Sequence, residues 1–183
     1  FYLWYSHLGD RTWGSDQNWY PDQTQALYLA RRTPAGDYDI VRSEPVDSTR
    51  WCTPEPVCDE AVSPGNEIFP MLSPDGRRLY FASDGLFGMG GYDLYVASWN
   101  EQEQAWGDVR NLGLPFNSSA DDLLFCDTPD GRFSLLVSNR ACGKDSVVIY
   151  VLRQETPVYG PVTPEEAGRL SVLSVSAPDG SYN

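Results

Sequence analysis

Ser73-Pro74-Asp75-Gly76 leads into Leu79-Tyr80-Phe81-Ala82-Ser83-Asp84, and 55 residues later Thr128-Pro129-Asp130-Gly131 leads into Ser134-Leu135-Leu136-Val137-Ser138-Asn139. The same offset carries Asn66-Glu67 onto Asp121-Asp122, and Leu94-Tyr95-Val96 onto Ile149-Tyr150-Val151. A unit of this size cannot bury its apolar face by itself, so a chain that repeats it stacks the copies. The period predicts a β-propeller or a solenoid.

Within one unit, an apolar run meets Pro-Asp-Gly and a second run of β-branched and aromatic residues begins. Pro presets φ and Gly accepts positive φ, which predicts a hairpin turn. A Gly-rich stretch with Gly85, Gly88, Gly90 and Gly91 follows and reads as a flexible connection. Tyr92 to Ser98 then alternates like a third strand, and Gly107 to Leu112 fits a weaker fourth. Four short antiparallel strands in about 40 to 55 residues make up the blade of a propeller. The expected fold is therefore all-β, with about three four-stranded blades in this chain as part of a propeller of six or more.

A partial copy opens the chain. Phe1 to Ser6 reads as a second strand and Ala26 to Ala30 as a third, with a longer connection between them that places about ten extra residues in Gly9 to Thr24. Such insertions cost little stability and often carry function. At the other end, Leu170 to Val175 alternates like an innermost strand and runs into Ala177-Pro178-Asp179-Gly180. The expected organisation is a blade without its innermost strand over 1–50, a Cys/Pro-rich linker over 51–63, blades over 64–118 and 119–162, and the innermost strand of a further or closing blade over 163–183. Thr163 to Gly168 fits one helical turn before that strand. On this reading the missing blades come from the same longer chain or from a second copy.

The Ser-Pro-Asp-Gly-x-x-Leu-Tyr-Phe-x-Ser-Asp run resembles TolB-like β-propeller repeats. So do the Gly-rich stretch, Tyr92-Asp93-Leu94-Tyr95-Val96, Trp106, Asn111-Leu112-Gly113 and Asn117. The match is closest to versions in cell-envelope proteins of Bacteroidetes, often joined to OmpA-like peptidoglycan-binding domains. It is strong over 64–118, good over 119–153 and weak over 1–46, where the turn motif is missing. The resemblance implies a periplasmic or outer-membrane-associated binding or scaffold protein, not an enzyme, that recognises a protein or peptidoglycan/glycan partner. It carries no catalytic residues onto this chain and implies no cofactor.

Thirteen basic residues against 26 acidic ones give a net charge of −13. That balance argues against a nucleic-acid partner, since phosphate binding needs concentrated Lys and Arg. No run of about 20 apolar residues marks a transmembrane helix. Cys52 and Cys58 flank a Pro-rich loop that a disulfide would staple, and Cys126 and Cys142 flank the hairpin of the third unit. The alternative for Cys126 is a small buried apolar side chain. Neither pair has Cys-x-x-Cys spacing, which argues against zinc.

Chemistry has few carriers. His7 is the only histidine and no Gly-x-Ser-x-Gly elbow accompanies it, so a serine or cysteine nucleophile lacks its base. Glu67, Asp121 and Asp122 fall at the starts of expected innermost strands, near a propeller axis. There they fit turn capping, or else cation binding, sugar binding and acid–base hydrolysis, which leaves a glycan-binding or glycan-hydrolysing propeller as the alternative function. Asp75, Asp130 and Asp179 belong to turns. Trp13, Trp19, Tyr20 and Trp51 fall in the inserted loop and the linker, where exposed aromatics stack on sugars or anchor proteins.

Overall fold

The computed structural model describes residues 26–47, 50–143 and 145–153. The expectations for 1–25 and 154–183 lie outside the described residues, among them the strand at Phe1, His7, the inserted loop, the helical turn and the strand at Leu170.

Among the described residues, ten strands form three antiparallel sheets. The first sheet holds β1 (Leu27–Arg32), β2 (Tyr38–Ser43) and the short β3 (Glu55–Pro56), in that order. The second is a four-stranded meander of β4 (Glu67–Leu72), β5 (Arg78–Ser83), β6 (Asp93–Asn100) and β7 (Ala105–Asn111). The third holds β8 (Asp122–Asp127), β9 (Phe133–Ser138) and β10 (Val148–Arg153). Among the described residues the only helical element is a 3-10 turn at Asp59–Ala61.

The sequence repeat is a repeat of register. Glu67 pairs with Ser83, and an extra residue then enters β4, so that Met71 faces Tyr80. Asp122 pairs with Ser138, and an extra residue then enters β8, so that Leu124 faces Val137. This β-bulge turns the first, fourth and sixth residues of both strands toward the interior: Glu67, Pro70 and Leu72 in one, Asp122, Phe125 and Asp127 in the other. The hairpin turns match as well. Gly76 and Gly131 take φ of 69° and 64°, and the Ser73 and Thr128 hydroxyls each bond the carboxylate two residues on, Asp75 and Asp130. Those aspartates are turn residues, as their sequence context predicts.

Two apolar clusters separate the three sheets. Leu79 and Phe81 of β5 join Tyr28, Ile40, Tyr95, Ala97 and Trp106 between the first and second sheets. The intervening Tyr80 and Ala82 join Leu94, Phe125, Leu136 and Leu152 between the second and third. Because β5 is covered on both faces, it reads as a continuous apolar run and not as an alternating one. Full burial of a side chain such as Phe81 stabilises by roughly 2–3 kcal/mol. Polar contacts cross both boundaries: Trp106 Nε1–H donates to the Tyr28 hydroxyl at 3.0 Å, and the Tyr80 hydroxyl donates to Asp127 at 3.1 Å.

The 51–63 stretch is more than a linker. It supplies β3 to the first sheet, and Ala61 is buried in the first cluster, with Val57 and Cys58 packed against it.

The outer face of the third sheet differs from its counterpart in the second. Tyr80, Ala82 and Leu94 are covered by β8, and Leu94 is 0% exposed. Fifty-five residues on stand Leu135, Val137 and Ile149, and Ile149 is 62% exposed with its neighbour Val151 at 64%. Among the described residues no sheet covers this face.

Candidate functional site

The acids singled out at the strand starts sit in a corner motif built twice. In the first copy, Glu67 is fully buried, and its Oε1 accepts from the Ser63 hydroxyl at 2.5 Å and the Ser83 hydroxyl at 2.6 Å. In the second, Asp122 is fully buried, and its Oδ2 accepts from the Ser118 N–H at 2.6 Å and the Ser118 hydroxyl at 2.9 Å. Ser63 and Ser118 are themselves 55 residues apart.

The residue before each buried acid closes the corner. Asn66 donates to Asp84 through its backbone N–H at 2.5 Å and its side-chain amide at 3.0 Å. At the equivalent positions the residue types exchange: the Asp121 N–H donates to Asn139 Oδ1, and the Asn139 amide donates back to Asp121, both at 2.8 Å. The geometry is kept while the charge moves to the other strand.

The two buried acids differ in how their charge is met. Arg140 places a guanidinium nitrogen 2.5 Å from Asp122 Oδ1 and also donates to the carbonyls of Pro115 and Phe116. Gly85 occupies the equivalent place beside Glu67, packed so closely on Gly65 and Ser63 that a Cβ would collide with both. No arginine fits there. Among the described residues, Glu67 Oε2 and Asp39 Oδ1 are buried without a hydrogen-bond donor, and the two carboxyl groups, one on each of the first and second sheets, interact with each other. Burial pushes Glu67 above the ordinary carboxylate range against the opposing pull of its two serine bonds, and the Asp39 charge adds to the rise. Asp39 is raised by burial and by Asp37, with its bond to Glu67 opposing.

The strand-start end of the second sheet also carries its exposed apolar side chains. Phe87 is 96% exposed at the tip of the β5–β6 connection, with Met89 beside it and Leu114 on the connection that follows β7. The glycine-rich loop, expected to be flexible, is pinned. The Phe87 carbonyl accepts from the Tyr95 hydroxyl at 2.6 Å and the Asn111 amide at 3.4 Å. The N–H groups of Met89 and Gly90 converge on Asp93 Oδ2, and Gly88, Gly90 and Gly91 each touch neighbouring atoms so closely that no side chain fits. The turns at the opposite end are polar: Asp75, Arg77, Glu101, Asp130 and Arg132 line them, with Arg77 and Glu101 in an ion pair at 2.6 Å.

Of the other residues singled out, Trp51 is exposed and bridges to Pro45, away from the glycine-rich loop in sequence. Trp13, Trp19 and Tyr20 lie outside the described residues. The structure draws no bridge at Cys52, Cys58, Cys126 or Cys142. The Cys142 sulfur sits instead over the carbonyls of Ser146, at 3.0 Å, and Asn139. Cys126 lies within the β8–β9 ladder opposite Leu135, and burial pushes its thiol up to about 11. Among the described residues, no group of three or more His, Cys, Asp or Glu side chains forms a metal-holding cluster. None of their helices is long and apolar enough to cross a membrane.

Asp39, Ser63, Phe87 and Leu114 also belong to this end of the molecule and were not among the residues expected from the sequence. Ser63 had a signal, its match to Ser118; Asp39 had none, because it comes from a strand outside the matched segments. No family model matches the chain, and no characterised protein matches it either.

Proposed function

We propose that the chain is part of a TolB-like β-propeller of the bacterial cell envelope, and that it is a non-catalytic binding or scaffold module. The propeller reading is supported by two units with the same register, bulge and turn, stacked face to face. The uncovered apolar face of Leu135, Val137, Ile149 and Val151 supports a further sheet, from the rest of a longer chain or from a second copy. Periplasmic or outer-membrane placement rests on the sequence resemblance alone.

The binding reading rests on Phe87, an almost wholly exposed aromatic ring on a loop with no freedom to fold it away. A side chain held ready in this way loses little conformational entropy when a partner covers it. The partner in this reading is a protein or a cell-wall polymer that meets the strand-start end. The opposite end has its turn groups already bonded to one another.

Binding of the purified protein to isolated peptidoglycan and to envelope proteins tests the reading. Phe87→Ser with Leu114→Ser should remove binding, while Asp75→Ser with Arg77→Ser should leave it intact. Equal loss from both pairs contradicts the assignment of the end. Hydrolysis of glycan that disappears in Glu67→Ala or Asp122→Ala contradicts the non-catalytic role.

A further inference from the structure

Among the described residues no cation reaches Glu67, and the place that Arg140 takes in the third sheet is closed here by Gly85 against Gly65. Glu67 Oε2 is buried without a donor, as is Oδ1 of Asp39 in β2 of the neighbouring sheet, and the two carboxyl groups interact with each other. Two ionised carboxylates offer only acceptors to each other, so the contact is attractive only when one of them carries a proton. We propose that Asp39 and Glu67 form a pH-sensitive latch that holds the first sheet against the second through one shared proton.

Among the described residues the surroundings favour this and supply no substitute charge. On the second sheet, Glu67 Oε1 is bonded to Ser63 and Ser83, and beyond Ser83 in the ladder stands Asp93, another buried carboxyl, with Tyr95 next to it. On the first sheet, Asp37 adds a second negative charge near Asp39. Arg31 stands opposite Asp39 in the β1–β2 ladder, but its guanidinium reaches the Pro54 carbonyl. Arg42 is bound to Glu44 at 2.5 Å. Acid therefore closes the latch and base opens it. In the third sheet, Arg140 stands on Asp122, so that corner carries its own cation.

The sign follows from linkage. A carboxyl raised by folding keeps its proton in the native state at a pH where the unfolded chain has lost it, so unfolding releases a proton and stability falls as pH rises. The loss begins at the ordinary carboxylate range and is complete once pH passes the raised native value.

Denaturant unfolding of the full chain between about pH 5 and about pH 8 measures this, with hydrogen exchange reporting β1–β2 separately from β8–β10. The unfolding equilibrium constant should rise with pH by up to about tenfold per unit within the window, with exchange quickening first in β1–β2. In Glu67→Gln the amide donates to Asp39 without titrating, so that slope should disappear. Asp39→Asn should do the same and serves if Glu67→Gln does not fold. A slope unchanged in the variants overturns the latch. So does a wild-type slope abolished by millimolar calcium, because a cation would then be bridging the pair.

Discussion

Asp84 accepts both the backbone N–H and the side-chain amide of Asn66, and 55 residues later Asn139 and Asp121 keep the same pair of bonds with the two residue types exchanged. The exchange works because the bonds need one donor and one acceptor across the corner, not a particular charge on a particular strand. A pair of this kind depends on both members together.

It follows that the first corner should accept the arrangement of the second. Asn66→Asp alone sets two carboxylates, with no donor, against each other and should cost about 1 kcal/mol or more, whereas Asp84→Asn alone keeps a donor and an acceptor across the corner and should cost less. The double substitution should return to within about 0.5 kcal/mol of wild type, a coupling that a double-mutant cycle by denaturant unfolding detects. Additive losses would mean that the two corners are not equivalent.

Arg140 should matter more than its partial exposure suggests. Its removal leaves Asp122 buried with only the Ser118 bonds and frees the carbonyls of Pro115 and Phe116. Breaking a buried pair by deleting one partner costs about 3 kcal/mol or more. Arg140→Ala should therefore lower stability by about that amount, and Arg140→Ala with Asp122→Asn by clearly less. A loss below about 1 kcal/mol in the single variant would show that water already serves Asp122.

The repeat, the hairpin turns and the strands from β4 to β10 were legible because each is set by local chemistry: Pro and Gly at fixed turn positions, and apolar residues at strand spacing. The acids at the strand starts were legible as a repeated position, with capping and chemistry both open. Their actual surroundings were not, because the Arg140 contact with Asp122 and the Asp39 contact with Glu67 depend on how the 115–116 segment and the first sheet lie against them. The stiffness of the glycine-rich loop was hidden for a related reason. Glycine signals freedom when the chain is read alone, whereas here it permits the close approach that fixes Phe87. The cysteine spacings suggested bridges, yet strand pairing at Cys126 and loop contacts at Cys142 set where those thiols lie.

If the third sheet repeats the second in the assembled protein, a further sheet covers Ile149 as β8 covers Leu94. Site-resolved maleimide labelling of single cysteines introduced at Leu94, Ile149 and Phe87, in the intact protein with Cys52→Ser and Cys142→Ser, measures this. Labelling at Ile149→Cys should then be slow, close to that at Leu94→Cys and far below that at Phe87→Cys. Labelling at Ile149→Cys as fast as at Phe87→Cys would contradict it.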